Sequence, residues 1–137
     1  MADSWIVSCN LKAYDVVEHF KTNEIIVMKR TRPLLEGDRV FLYIGKPYSR
    51  VMYLCEVVSS QVDIDTLEAN AYAKVDKCNV RGTSYMLLRL IESITAAGLD
   101  YSNLREHGVG QFQNPSRLSS RTLRYINSRI MQVGSDA

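Results

Sequence analysis

The sequence predicts a single α+β domain in which a mixed β-barrel, or pseudobarrel, is flanked by helices. Three observations support this fold class. Apolar segments rich in β-formers dominate the chain, turn signals separate them, and helical patterns occur only after the first strand and toward the C-terminus. The chain has 137 residues, which is the size of one domain. A domain of this size buries on the order of two-thirds of its unfolded surface, enough for a core without disulfides or metal.

Strands are predicted from β-rich apolar runs bounded by turn residues. The four main segments are residues 5–9, 39–44, 51–58 and 85–91. A shorter apolar run at 25–28 is interpreted as a further strand. The segment at 39–44 follows a Gly37-Asp38 turn signal and shows the period of two that is typical of a strand. The loop at 45–49 connects it to the next strand, which predicts a hairpin with a long tip.

Helices are predicted where capping residues precede apolar positions at helical spacing. Asp15 is the expected N-cap of a short first helix, with Glu18 as the returning partner of a capping box. Ser119 or Ser120 is expected to cap a last helix near the C-terminus. The segment 63–82 has little periodicity and is interpreted as an extended excursion from the sheet.

The cysteine and histidine pattern predicts neither a metal site nor a disulfide scaffold. Cys9, Cys55 and Cys78 are widely spaced and form no Cys-x-x-Cys pair, and His19 and His107 are isolated. We therefore expect no metal and no cofactor. Cys9 and Cys55 lie in apolar runs and are expected to be buried. The chain has no signal-peptide pattern and no apolar run near the ~20 residues that span a bilayer, so we expect a cytoplasmic protein with no membrane partner.

The charge distribution is more informative than the net charge, which is only +2. Arginines are concentrated between residue 105 and the C-terminus, and a second basic run comprises Lys29, Arg30 and Arg32. Clusters of this kind can follow the phosphates of a nucleic acid. A solvated surface explains either cluster equally well.

Three blocks of sequence occur in an order found in one protein family. Residues 5–14 (WIVSCNLKAY) are similar to an opening strand with an Asn-x-Lys-x-Tyr continuation, and residues 37–43 (GDRVFLY) to a Gly-Asp turn and its strand. Residues 104–118 contain a His-Gly pair and a Gln-x-Pro-x-Arg-Leu motif. In this order the blocks resemble the EVE family, a branch of the PUA-like superfamily that also contains the YTH readers of methylated adenine. Residues 1–137 are identified as one EVE/PUA-like domain.

The resemblance implies a domain that binds DNA or RNA and takes a flipped, modified base into a pocket beside the first strand. The residues implied for this pocket are Trp5, Ser8, Asn10 and Tyr14. A flipped base needs stacking surfaces and hydrogen-bond partners for its edge. The structural alternatives are packing for Trp5 and Tyr14, and turn formation for Ser8 and Asn10.

A second set of residues is expected to contact the nucleic-acid backbone. Its members are cationic or polar residues in predicted loops, namely Lys29, Arg30, Arg32, Lys46, Tyr48, Gln113 and Arg117. For Arg117 the alternative is an ion pair with an acidic neighbour, and for Gln113 it is a solvated loop.

The identity of the base is left open by one departure from the family. The readers of methylated adenine place a tryptophan after the first helix, whereas residues 25–30 contain no aromatic side chain and Trp5 is the only tryptophan. A cytosine-type modification or an unmodified base is therefore as consistent with the sequence as methyladenine.

Catalytic motifs are absent from the sequence. It contains no nucleophile elbow, no phosphate-binding glycine loop and no histidine pair at metal-ligand spacing, so we expect a binding domain and not an enzyme. Two alternatives remain open. One is a small PUA-like hydrolase or nuclease whose catalytic residues converge from distant positions. The other is a protein-interaction module.

Overall fold

Strands form the framework of the chain, and helices cover both faces of the sheet that they build. The computed structural model describes residues 3–9, 15–60, 85–110, 112 and 115–135. The strands are β1 (Ser4–Cys9), β2 (Ile25–Lys29), β3 (Arg39–Ile44), β4 (Arg50–Ser59), β5 (Tyr85–Ser93) and β6 (Ser116–Arg117). The helices are α1 (Val16–His19), α2 (Tyr101–Glu106) and α3 (Ser120–Ser135), with a 3-10 turn at Thr95–Ala97. The predicted excursion at 63–82 lies outside the described residues.

The six strands form one mixed sheet in the order β2-β5-β4-β3-β1-β6. Strands β1 and β3 are parallel, and every other neighbouring pair is antiparallel. This architecture confirms the α+β class and the mixed sheet. The expected closure into a barrel is wrong for the described strands, because the edge strands β2 and β6 lie at opposite ends of the order and do not pair. The sheet is therefore open.

The predicted strands and the hairpin are confirmed, and the β3 pattern explains how both faces of the sheet are used. Val40, Leu42 and Ile44 belong to one core cluster, while Phe41 and Tyr43 belong to another. The alternating residues of β3 thus enter two cores, since side chains along a strand point to opposite faces. Helix α1 covers the first face and helices α2 and α3 cover the second. No helix in the described ranges is long and apolar enough to cross a bilayer.

The helix starts follow the predicted capping chemistry. The Asp15 carboxylate accepts the backbone N–H of Glu18 at 3.2 Å, as expected for the N-cap of α1. The Ser119 hydroxyl accepts the N–H of Thr122 at 3.2 Å and caps α3. Both caps satisfy donors that the first turn of a helix leaves without an intrahelical partner.

The Gly37-Asp38 turn also joins two strands through the hydrogen bonds of its carboxylate. Gly37 has φ +91°, a conformation that favours glycine. The buried Asp38 carboxylate accepts three hydrogen bonds: Oδ1 from the N–H of Asp3 at 2.9 Å, and Oδ2 from Trp5 Nε1 and the N–H of Leu35, each at 3.0 Å. Asp38 therefore connects the start of β1 to the start of β3.

Two of the three cysteines are core residues, as the sequence predicted. Cys9 and Cys55 are 4% and 0% exposed and belong to the core cluster between the sheet and α1. Burial raises the pKa of each thiol to about 12, and at Cys9 the nearby Asp15 carboxylate adds to the effect. Both side chains therefore pack as neutral, apolar groups.

We expect the buried thiols to make stability fall at alkaline pH. Below the ordinary thiol pKa of about 9, both the folded and the unfolded chain hold these protons, and the folded state keeps its full stability. Between about 9 and 12 only the unfolded chain loses them. The free energy of unfolding should then fall by up to about 1.4 kcal/mol per pH unit for each thiol.

Urea unfolding at pH 8 and pH 10.5 measures this loss. Cys55→Val removes one of the two titrating thiols at nearly constant volume. The loss of unfolding free energy between the two pH values should then be about half of that in the wild type. Native-state alkylation followed by peptide mass spectrometry gives an independent readout, in which Cys9 and Cys55 should label only after denaturation. Rapid labelling of both thiols in the folded protein would contradict the prediction.

Candidate nucleic-acid interface

The carboxyl ends of β1 and β3 place a hydroxyl beside an aromatic side chain. Because the two strands are parallel, their ends lie at the same edge of the sheet, and Ser8 is in register with Tyr43. The Ser8 hydroxyl donates a hydrogen bond to the backbone carbonyl of Phe112. The loop that precedes β6 is thereby held against the end of β1.

Three aromatic rings meet at this edge, and we refer to Tyr43, Tyr101 and Phe112 as the aromatic cluster. The Phe112 ring lies 4.5 Å from that of Tyr43 and 5.1 Å from that of Tyr101, measured between centroids. Tyr43 is 7% exposed, whereas Tyr101 is 48% exposed. The cluster therefore runs from the core to the protein surface.

Backbone and side-chain hydrogen bonds fix the exposed end of the cluster. The N–H of Tyr101 donates to the carbonyl of Ser49 at 3.1 Å, which connects the start of α2 to the β3–β4 loop. Asp100 caps α2 by accepting the N–H of Asn103 at 2.9 Å. The Arg105 guanidinium lies 5.9 Å from the centre of the Tyr101 ring and donates to the Gly110 carbonyl at 2.7 Å.

The Tyr43 phenol stays neutral at physiological pH. Burial raises its pKa, a hydrogen bond with Ser49 opposes this, and Tyr101 and Asp100 raise it further. A neutral phenol both donates and accepts hydrogen bonds. This edge of the sheet thus offers hydroxyl groups and aromatic faces together.

Lys46 and Tyr48 lie at the same end of the sheet as Ser8. They belong to the β3–β4 loop, in which the N–H of Gly45 donates to the carbonyl of Cys9 at 3.1 Å. Lys46 is exposed, and Tyr48 is 37% exposed. The structure thus brings together three of the residues that the sequence singled out.

Arg30 and Arg32 lie at the opposite end of the sheet. Strand β2 ends beside the start of β5 and beyond the start of β3, whereas Ser8 lies at the carboxyl ends of β1 and β3. Arg30 donates to the Leu34 carbonyl at 2.8 Å, and Arg32 is exposed. Hydrogen bonds from Ser60 lower the pKa of Glu36 to about 2, and the charge of Arg30 contributes to this shift.

Arg117 and Trp5 pack against each other on paired strands. Trp5 is 3% exposed, and its indole N–H donates a hydrogen bond to the Asp38 carboxylate. Trp5 is therefore a core residue, which was the structural alternative to a role in the base pocket. The Arg117 guanidinium lies 4.9 Å from the centre of the Trp5 ring. It also pairs with the Asp3 carboxylate at 3.4 Å, while its side chain is 60% exposed. Arg117 thus has an acidic neighbour and a surface that remains accessible.

Several of the sequence-predicted residues lie outside the described part of the chain. Asn10, Tyr14 and Gln113 belong to the ranges that the structure does not describe, and for Lys29 only the strand position is described. In the sequence, Asn10 directly follows the last residue of β1.

The sequence alone predicts no site role for Tyr43, Tyr101, Phe112 or Arg105. The alternation of β3 predicts Tyr43 only as a strand residue and does not indicate its neighbours from other parts of the chain. A signal was present for Tyr101, since an aromatic residue directly after an N-cap lies in the first turn of a helix, where side chains are often exposed. Phe112 lies in a glycine-containing loop, and only the fold shows that this loop covers the end of β1.

The two histidines contact backbone carbonyls. His19 is buried, with Nε2 2.5 Å from the carbonyl oxygen of Ile25. His107 lies with Nδ1 2.8 Å from the carbonyl oxygen of Asn103, and its ring stacks on Tyr125 at 3.5 Å. Within the described ranges, no group of three or more histidine, cysteine or acidic side chains has a metal-binding arrangement.

Comparison with known proteins shows which solved structures have a similar fold. No protein-family model matches the chain, and no curated protein matches it in sequence. Among solved structures it is similar to human THYN1 in complex with DNA containing 5-methylcytosine, with a TM-score of 0.66 and 9% identity over 94% of this chain and 98% of that one. It is also similar to ASCH from Zymomonas mobilis, with a TM-score of 0.62 and 14% identity over 92% and 94% of the two chains.

A third similar structure is a hypothetical protein from Leishmania major, with a TM-score of 0.64 and 14% identity over 98% of each chain. All three similarities extend over more than nine-tenths of both chains. The chain therefore shares its α+β fold with the ASCH protein and with THYN1.

Proposed function

We propose that this protein binds nucleic acid without cleaving or modifying it. A modified base is proposed to enter a pocket at the carboxyl ends of β1 and β3. The observation that carries the proposal is the position of Ser8 beside Tyr43, at the inner end of the aromatic cluster. Asn10 and Tyr14, which follow on from β1, are proposed to complete the pocket.

The chemistry of this edge fits a flipped base. Such a base loses its stacking partners in the duplex and needs a replacement aromatic surface, together with hydrogen bonds to its edge. Tyr101 offers a half-exposed ring for stacking. The Ser8 hydroxyl donates to the Phe112 carbonyl and keeps the capacity to accept a hydrogen bond from a base edge.

A cytosine-type modification is the first ligand to test. THYN1, which shares the fold, was crystallised with DNA containing 5-methylcytosine. Residues 25–30, where the readers of methylated adenine carry a cage tryptophan, contain no aromatic residue here. Both observations favour a cytosine derivative over methyladenine.

The cations divide the proposed interface into two parts. Lys46 and Arg105 lie near the pocket and are proposed to contact the phosphates that flank the flipped base. Arg30 and Arg32 lie at the other end of the sheet, so they are proposed to contact a different stretch of the nucleic-acid backbone.

The test is a titration of the protein against short labelled oligonucleotides that differ in one central base. The panel contains 5-methylcytosine, cytosine, N6-methyladenine and adenine, in DNA and in RNA, and fluorescence anisotropy is read at two salt concentrations. We expect salt-dependent binding with a preference for one modified base. Asn10→Ala and Tyr14→Ala should each remove about 1–3 kcal/mol of discrimination and leave the salt slope unchanged.

Three outcomes would contradict the proposal in different ways. No binding of any oligonucleotide at low salt would exclude the nucleic-acid function and favour a protein-interaction module. Cleavage products on a gel, with or without added metal, would identify a nuclease. Base preference that is unchanged in Asn10→Ala and Tyr14→Ala would support the nucleic-acid function and exclude the proposed base pocket.

A further inference from the structure

Helix α3 has one buried and one exposed face. Thr122 and Ile126 are buried against the sheet, while Arg121, Arg124 and Ser128 point outward. With 3.6 residues per turn, the last three lie within a 60° arc of the helix surface, opposite Ile126. The outward face also contains a groove of about 420 Å³, lined by Ser120, Leu123, Arg124, Asn127, Ser128 and Met131.

The segment between Glu106 and Asp136 is basic. Residues 107–135 contain four arginines and no aspartate or glutamate. Two of these arginines have structural partners, since Arg117 pairs with Asp3 and Arg129 donates to the carbonyl of Ala97 at 3.2 Å. Arg121 and Arg124 are exposed, and within the described ranges neither forms an ion pair.

The exposed face of α3 lies on the same side of the sheet as the aromatic cluster. Ile126 of α3 and Leu104 of α2 share one core cluster, against which Phe112 also packs. The stacked rings of His107 and Tyr125 join the end of α2 to α3. A strand whose base is held at Tyr101 can therefore continue across α2 toward α3 without passing around the sheet.

We propose that the outward face of α3 is a second contact surface for nucleic acid, on which Arg121 and Arg124 bind phosphates of the strand that leads away from the base pocket. The inference rests on the proposed function. Exposed cations that form no ion pair within the described residues, spaced along a helix and interleaved with hydroxyl and amide side chains, fit a polyanion. The two arginines are separated by a rise of about 4.5 Å along the helix, so they can contact neighbouring phosphates of one nucleic-acid strand.

The experiment compares two double variants that remove the same charge. Arg121→Gln with Arg124→Gln removes the α3 pair, and Arg39→Gln with Arg89→Gln removes two exposed arginines of the sheet. Each is titrated with the preferred oligonucleotide, extended by about ten nucleotides on either side, over a range of salt. The α3 variant should flatten the slope of log affinity against log salt by about 1.4–1.8, with base preference unchanged.

The control pair should change the slope by less than half of that amount. Equal flattening by both variants would mean that only net charge matters, and it would overturn the inference. An unchanged slope in the α3 variant, with base preference still dependent on Asn10 and Tyr14, would overturn the inference and leave the proposed function intact. No binding by the wild-type protein would overturn both. Circular dichroism of each variant checks that the helix content matches that of the wild type.

Discussion

Replacing Asp38 by alanine is expected to lower the free energy of unfolding by about 3–5 kcal/mol. The substitution leaves three donors, the N–H groups of Asp3, Leu35 and the Trp5 indole, without their acceptor. An unsatisfied buried donor costs about 1–3 kcal/mol, and partial relaxation keeps the total below the sum of three. The measurement is urea unfolding at pH 7, with the denaturant slope checked for constancy.

Two further variants separate the role of the carboxylate from that of the ring. Asp38→Asn keeps one acceptor oxygen and should have an intermediate effect. Trp5→Phe removes only the indole donor and part of the ring, so its loss should be smaller than that of Asp38→Ala. Because such a domain has a total stability of only about 5–15 kcal/mol, Asp38→Ala is also expected to reduce soluble expression. A loss below 1 kcal/mol would show that the hydrogen bonds of Asp38 do not stabilise the fold.

The local features of this fold were predictable from sequence because their causes are local. The caps at Asp15 and Ser119 depend on side chains that reach donors three residues away. Strand β3 is visible in the alternation of its own residues. The Gly37-Asp38 turn was recognised for the same reason, although only the structure shows that its carboxylate reaches Trp5, 33 residues away in the sequence.

The open sheet was not predictable, because closure depends on which strands form the edges. Strands β2 and β6 are distant from each other in both sequence and sheet order, and neither has a pattern that specifies its neighbour. The same limit applies to the cations. Arg30, Arg32 and Lys46 look alike in the sequence, and the direction of each strand decides which end of the sheet they reach.

The aromatic cluster shows why the candidate site was only half predictable. Ser8 followed from the family resemblance, since it belongs to the opening strand that carries the motif. Tyr43, Tyr101 and Phe112 come from three separate segments that meet only in the folded chain. The rings are brought together by the parallel pairing of β1 and β3 and by the hydrogen bonds that connect α2 to the β3–β4 loop.

Replacing Tyr101 by alanine is expected to weaken binding of the preferred oligonucleotide by about 5- to 150-fold. Stacking of a base on an aromatic side chain is worth about 1–3 kcal/mol, and Tyr101 is the most exposed ring of the cluster. Its hydroxyl adds little to stacking, so Tyr101→Phe should keep most of the affinity. Since no phosphate contact is removed, the slope of log affinity against log salt should not change.

Leu35→Ala is the matched control for Tyr101→Ala. Leu35 is 57% exposed, close to the 48% of Tyr101, and lies at the opposite end of the sheet, beside the Gly37-Asp38 turn. The Leu35→Ala variant loses exposed apolar surface but keeps the aromatic cluster intact. Its affinity for the preferred oligonucleotide should therefore match that of the wild type. If Tyr101→Ala and Leu35→Ala bind equally well, no base stacks at the aromatic cluster, and the pocket must lie elsewhere along β1. If Tyr101→Ala instead flattens the salt slope, the ring acts by positioning Arg105 over the phosphates, because that guanidinium lies 5.9 Å from the Tyr101 ring.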